Sequence, residues 1–581
     1  MKRAIAALLV LLATADELRA QTPDSAAELV GLWSAQRRFG PDARGTLRIV
    51  RSDSGFTADM LGFTMPVIER NGELSFALPN RAGEFRGRLE RADRIRGVWF
   101  QAPLGSLGPA TPVTLLREKP GRWSGEVRPE DDRQTFHLLV RNRPDGSLTA
   151  LLRNPERDYG AILGVSGLVR DGNRLGLVAR RGAPPRDTVV VAGSYDAARQ
   201  VMTFNFPYRG GSYDFRRDDD ALSGFYPRGR NPGRYIYRAP FALDDGWPIA
   251  SVDDVDIDRA AIERAVQHLI TMSMDSINAP QIHSLLIARR GRLVVEEYFH
   301  HEHRTRLHNT RSGSKSVTAT IIGAALHSGA PLRLSSSVYE VMNDGTLPAG
   351  LEPRKRALTL EHLLSMSSGY FCDDNNDDAP GNEDRVWDQT EQPDFYQLTL
   401  ALPMASAPGE RAIYCSINPN LALGVLSRAA GESAFYLFDR LVAAPMGIRR
   451  YAWMLDRARN PYGGGGMGFQ SRDFIKFGQL MLDSGVWRGR RILSKEFAAR
   501  ATSPLYRIGS REYGLGWWRD EKPYQNGTVK AFVMAGAGGQ VVMVFPELEL
   551  AVATTGGSYV SRGWRYPGGE LIPNYILPAI R

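Results

Sequence analysis

Cysteine is almost missing from this sequence. Two in 581 residues, Cys372 and Cys415, exclude a disulfide-built scaffold, and neither has histidine or further cysteine at metal-ligand spacing, so no metal site is expected. Histidine is scarce as well, with nine in all and none beyond His362. After the first fifteen residues no apolar run is long enough to span a bilayer. No nucleic-acid signature is present, and no cofactor is expected. The acidic stretch Asp373-Asp374-Asn375-Asn376-Asp377-Asp378 lacks the glycine and terminal glutamate of a calcium-binding loop. It reads as a solvated loop.

What is there fits a soluble, multidomain protein. Hydrophobic residues make up 43% and charged residues 24%, ordinary globular values, and the length suggests two to four domains. Residues 1–20 read as a secretory signal: Lys2 and Arg3 precede an apolar run from Ala4 to Ala15, followed by small-residue exits. A secreted or periplasmic location is therefore expected. The net charge of +9 sits unevenly. Residues 21–240 carry 34 Arg/Lys against 25 Asp/Glu, whereas residues 241–581 carry 36 against 37. A basic N-terminal half is open to contact with anionic envelope polymers or lipids, but its arginines are scattered along strands, which favours a solvated surface.

Residues 21–240 read as all-β, with short alternating runs broken by Gly, Pro, Asn-Gly and Asp-Gly turns. The segment repeats itself. Gly31-Leu32-Trp33-Ser34 answers Gly121-Arg122-Trp123-Ser124, and Arg70-Asn71-Gly72 answers Arg170-Asp171-Gly172. Two small antiparallel barrels or sandwiches are expected, at 21–118 and 119–240, each plugged by its tryptophan. A Pro-, Asp- and Gly-rich linker at 241–257 leads into a domain at 258–581. Strands at both ends of that domain, with helices between, fit an antiparallel sheet whose halves come from opposite ends of the chain.

That last domain is organised around Asn309-Thr310-Arg311-Ser312-Gly313-Ser314-Lys315-Ser316-Val317-Thr318. Apolar residues recur at Val317, Ile321, Ile322, Ala325 and Leu326, a helical spacing that puts Ser312 near a helix start and Lys315 one turn on. Side chains at i and i+3 share a face, about 5–6 Å apart at Cβ. A serine needs a neighbouring base to act as a nucleophile, and lysine can serve when its surroundings lower its pKa. The positive end of the helix favours an oxyanion. Downstream stand Tyr414 with Ser416 two positions on, the run Gly464-Gly465-Gly466-Met467-Gly468, and the glycine-rich strand edge Met534-Ala535-Gly536-Ala537-Gly538-Gly539.

In this order, together with Leu363–Gly369, Pro408-Gly409, Pro445-Met446-Gly447 and Tyr513–Trp518, these motifs resemble the serine β-lactamase/penicillin-binding-protein superfamily. The resemblance is to its class C-like branch of esterases, D-aminopeptidases and 6-aminohexanoate-dimer hydrolases, and covers about residues 245–581. It implies an α/β catalytic domain with an antiparallel sheet flanked by helices, Ser312 as nucleophile, Lys315 as its base and Tyr414 as proton shuttle. The backbone N–H of Ala537 would pair with that of Ser312 as oxyanion hole, with Gly536, Gly538 and Ser416 lining the substrate site. Two departures matter. Ser416 stands where the family usually has Asn. Met534-Ala535-Gly536 stands where it has Lys/His-Thr-Gly, so the cation that holds a β-lactam carboxylate is missing. The expected reaction is cleavage of a small neutral ester or amide. The alternatives are a β-lactamase or D,D-peptidase, or a catalytically weak protein that binds envelope material. The resemblance also puts Cys372 and Cys415 beside the cleft, where a disulfide is expected over two buried thiols.

Overall fold

The computed structural model describes residues 27–38, 43–101, 108–130, 133–182 and 184–581. The signal-like segment 1–20 lies outside them. The described N-terminal region is two closed eight-stranded antiparallel barrels. Their strands form because polar and apolar residues alternate: in Gly45–Ser52, Leu47 and Ile49 point inward while Arg48 and Arg51 do not. The turn between Phe63–Arg70 and Glu73–Ala77 is Asn71-Gly72, and both residues have positive φ, 52° and 76°. This is the two-residue turn whose twist matches paired strands. Both interiors are filled with side chains. Phe76, Phe85, Trp99 and Trp123 pack in one, and Trp33, Phe136, Phe204 and Phe215 in the other, each contributing roughly 1.5–3 kcal/mol on burial.

The barrels do not follow the expected cut at 118/119. Strand Gly31–Arg38 opens the first repeat, yet it pairs with Arg133–Asn142 and Gly211–Arg217 in the second barrel. Strand Arg122–Val127 opens the second repeat, yet it pairs with Gly45–Ser52 and Gly108–Lys119 and closes the first barrel. The repeats have exchanged their first strands, so the equivalent Trp33 and Trp123 each plug the other copy's barrel.

The C-terminal body has the expected sheet. Its order is Arg292–Tyr298, Ile282–Arg289, Leu550–Gly556, Gln540–Phe545, Gly527–Gly536, Trp518–Tyr524, Arg511–Tyr513, Tyr506–Ile508. The two ends of the domain meet where Ile282–Arg289 pairs with Leu550–Gly556. Period-2 alternation sends Leu285 and Ile287 to one face and Leu286 and Ala288 to the other. The first face packs on helix Arg259–Ile270 and the C-terminal helical segment Pro567–Ile576. The second packs on the helices that carry the site, Ser314–His327 and Ile417–Ala430, and on Ser471–Leu482.

The expected linker is not a loose tether. Trp247 is buried, donates Nε1–H to the Arg472 carbonyl at 2.9 Å and meets Trp487 edge to face. Before it, Tyr235 and Tyr237 already belong to the core of the C-terminal body. Hydrophobic anchors this close together make the segment part of the domain that follows. Barrel one is also joined to that body through a continuous sheet, since Gly108–Lys119 pairs with Tyr451–Leu455, Ala110 opposite Trp453.

Candidate active site

Ser312 lies in the short turn Arg311–Gly313, which feeds directly into helix Ser314–His327. The turn is pinned to strand Met467–Phe469 from both sides. Thr310 donates its N–H and its hydroxyl to the Met467 carbonyl, both at 2.9 Å, and the Met467 N–H donates to Ser314 Oγ at 3.1 Å. Arg311 is held in the left-handed region, φ 52°, with its N–H on Asn309 Oδ1 at 2.9 Å. Such a conformation costs on the order of 1 kcal/mol or more in a non-glycine residue and persists only when its surroundings fix it. Helical spacing brings the Lys315 ammonium to 3.0 Å from Ser312 Oγ. Its other strong bond is to the Gly464 carbonyl, at 2.6 Å.

The glycine run explains that second bond. A Cβ on Gly463 would meet the Pro419 carbonyl at 2.5 Å, and one on Gly464 would meet the Ser416 carbonyl at 2.3 Å. Only bare backbone fits between the two helices, so its carbonyls reach Lys315 and, at 2.9 Å, Thr318 Oγ1.

Tyr414 completes the group. The Lys315 ammonium lies 4.8 Å from the centroid of its ring. The Tyr414 ring stacks on Trp518, with centroids 5.6 Å apart and planes 23° from parallel. Cys415, next in the chain, is bridged to Cys372. Burial acts to lower the Lys315 pKa, but Tyr414, Glu383 and Asp374 outweigh it and hold the ammonium above its ordinary value.

The third piece is the end of strand Gly527–Gly536. A Cβ on Gly536 would lie 2.2 Å from the Thr310 carbonyl, so the strand touches the Ser312 turn only because this residue is glycine. Ala537 follows and is exposed, while Gly538, φ 95°, lies against the Tyr559 ring. Met534 is fully buried and apolar, so no cation stands at that place.

Two expectations need correction. Ser416 is fully buried, and its N–H and hydroxyl both go to Asp374 Oδ2, at 2.8 and 2.6 Å. It supports the loop and does not line the cleft. The acidic stretch is not uniformly solvated either. Asn375, Asn376, Asp377 and Asp378 are exposed, but Asp374 and Glu383 turn inward. Glu383 Oε1 accepts the Tyr462 hydroxyl at 2.6 Å, and the Glu383 N–H donates to Asp374 Oδ1 at 3.3 Å. Burial raises both carboxyls, Glu383 to about 7, with the Lys315 charge opposing it. Sequence reasoning missed this pair. The usable signal was the adjacency of Asp374 to Cys372, since a bridge to Cys415 carries that carboxylate to the tyrosine.

An antiparallel sheet built from both ends of a domain, with the helix of a Ser-x-x-Lys turn packed on one face, is the β-lactamase/transpeptidase-like architecture. Residues 278–556 match the family model described as Beta-lactamase, a match that supports the serine β-lactamase/penicillin-binding-protein superfamily for this part of the chain. Among solved structures, the chain is similar to EstCE1, a hydrolase with promiscuous acyltransferase activity (17% identity, TM-score 0.42, 55% of this chain and 98% of that one). It is also similar to a family VIII carboxylesterase (18%, 0.39, 51% and 90%). A third is the octameric penicillin-binding protein homologue from Pyrococcus abyssi (22%, 0.39, 52% and 76%). No curated protein matches the chain.

Proposed function

We propose that the protein is an exported serine hydrolase that cleaves small esters or amides through an acyl-enzyme on Ser312. The observation that carries this reading is the 3.0 Å contact between the Lys315 ammonium nitrogen and Ser312 Oγ, inside a group that also holds Tyr414. In the proposed reaction the Lys315 ammonium first gives up its proton, Ser312 Oγ then attacks the substrate carbonyl, and the Ser312 hydroxyl proton passes to the freed amine. Tyr414 then returns a proton to the leaving group. The N–H groups of Ser312 and Ala537 receive the oxyanion, a role that needs backbone only. Water repeats the sequence to release the acid.

A neutral substrate is favoured because Met534 stands in place of the cation that would hold a carboxylate. Export accords with the Cys372–Cys415 bridge, since disulfides persist in oxidising compartments. The test compares turnover of p-nitrophenyl esters with that of nitrocefin, alongside mass spectrometry of Ser312 after a fluorophosphonate probe. Ester turnover with labelled Ser312 is expected. Nitrocefin as the better substrate would move the reading to a β-lactamase, and an unlabelled Ser312 in protein that retains envelope polymers would move it to a binding protein.

A further inference from the structure

Barrel one and the C-terminal body part company beside the strand that joins them. Gly108–Lys119 pairs with Tyr451–Leu455 only as far as Ala110 opposite Trp453. The Pro109 carbonyl faces barrel one, where it accepts the Gln101 N–H at 3.0 Å. Backbone groups alternate between the two edges of a strand, so Ala110 faces the body and residue 112 is the next to do so. Residue 112 is proline, which has no N–H to give. The pairing stops short of it, and residues 111–115 meet no strand of the body.

The gap is a groove of about 640 Å³, inside the range of about 300–1,000 Å³ usual for ligand sites. Pro112, Leu116, Leu307, Ala444 and Ile448 give it an apolar lining. Five arginines also line it, Arg94, Arg96, Arg128, Arg449 and Arg450, against two acids, Glu126 and Asp439. Three of the arginines are answered. Arg96 pairs with Asp439, Arg94 with Glu90 at 2.8 Å and Arg449 with Asp244 at 2.7 Å. Glu126 accepts the Thr46 hydroxyl at 2.7 Å. Arg128 and Arg450 have no carboxylate within ion-pair distance among the described residues, and Arg450 donates to the Thr305 carbonyl at 3.1 Å. Burial and the neighbouring Arg128 charge hold Arg450 below its ordinary pKa, a penalty that a bound anion relieves. Thr111 adds a buried hydroxyl with no hydrogen-bond partner among the described residues. None of the residues grouped around Ser312 lines this groove.

We propose that the groove binds the anion of a single long-chain fatty acid, its carboxylate on Arg128 and Arg450 and its chain along Leu116, Leu307 and Ile448. Two unanswered cations beside an apolar length complement an amphiphile with one negative head. The volume suits one acyl chain and not the two chains and headgroup of a phospholipid. An extended peptide is a poor fit, because Pro112 removes the edge donor that an added strand needs.

The test is a fluorescence titration of the intact protein with cis-parinaric acid, a fatty acid that reports its own burial, with thermal melts to check folding. Saturable binding is expected, weakening as salt is raised. Arg128→Ala/Arg450→Ala should lower the affinity about tenfold or more. A neutral alcohol of the same chain length should compete about tenfold less well than the acid. Ala444→Trp, at an exposed position in the lining, fills the space with every arginine in place and should weaken binding too. Absence of saturable binding overturns the inference. So does an affinity unchanged in both the alanine and the tryptophan variants, which puts the acid elsewhere, the Ser312 cleft included. Equal competition by acid and alcohol overturns it by removing the carboxylate from recognition. Co-sedimentation with phosphatidylglycerol vesicles by protein that ignores the monomeric acid marks a membrane-facing surface instead, and overturns it as well.

Discussion

At the residue scale, the contact between Ser312 and Lys315 was legible because helical spacing is rigid: Ser-x-x-Lys on one face leaves the two groups little choice. The same rigidity makes their removal a sharp test. Ser312→Ala should abolish ester turnover, and Lys315→Ala nearly so, because nucleophile and base act as a unit; normal turnover by either removes it from the mechanism. Tyr414→Phe should slow turnover by about two to four orders of magnitude, and a loss below about threefold would mean that the tyrosine is not the shuttle. Gly536 is a residue whose importance no composition argument reveals. A methyl group there runs into the Thr310 carbonyl at 2.2 Å, with backbone on both sides and no flexible end to yield. Gly536→Ala should therefore lower both the melting temperature and the Ser312 labelling rate. An alanine variant that melts and labels like the parent would show the strand to be free to retreat.

At the element scale, the order of the late strands and the sheet joined from both ends of the domain followed from apolar runs and their place in the chain. The inward turn of Asp374 and Glu383 did not. A cluster of acids and amides reads as solvated unless something specific draws a member inside, and here the draw is long-range: Ser416 and Tyr462 supply donors from 42 and 79 residues away. The disulfide is what makes that arrangement durable. It closes a loop with a sequence separation of 43, worth roughly 3–4 kcal/mol in the chain-entropy account. Reduction should lower the melting temperature and, because Asp374 and Tyr414 lose their common anchor, turnover as well. Both thiols found free to alkylate in native protein would end this argument.

At the scale of the whole molecule, the N-terminal barrels are fastened to the C-terminal body by polar contacts that the sequence did not announce. Buried Arg153 donates to the Met274 carbonyl at 3.1 Å, and Asp158 accepts from the Val560 and Ser561 N–H groups at 3.2 and 3.1 Å. His300 Nδ1 meets the Gly224 carbonyl at 2.9 Å. Residues 241–581 alone would expose these partners and the edge of strand Tyr451–Leu455, and lose Tyr235 and Tyr237 from their core, so that fragment should be insoluble. A soluble, cooperatively melting fragment would refute this.

Acid should also loosen the molecule. Burial holds His300 and His308 down at about 3, from an ordinary 6.5, and His283 well below it. Between 6.5 and about 3 the unfolded chain binds these protons and the folded one does not, so stability falls with pH there. Glu302 and Glu383 oppose this, raised by burial from 4.5 to about 7, since the folded state binds their protons first. Their opposition ends below 4.5, where the unfolded chain protonates too. Melting temperature against pH should therefore change gently down to about 4.5 and fall steeply towards 3; a flat profile in that lower window would refute the assignment.

The exchange of first strands has a bearing on how the chain is made. Val140 lies 109 positions after its partner Gly31, so the earliest strand to emerge during synthesis cannot be seated until the second repeat is well advanced. Barrel one stays open until Arg122–Val127 arrives, and once it closes, the covalent path at both seams runs from one barrel into the other. The pair is thus a single cooperative unit in time as well as in space. A ribosome stalled anywhere before the second repeat leaves two raw edges facing each other's absent strand, and in a crowded compartment the nearest replacement is the same strand of another copy.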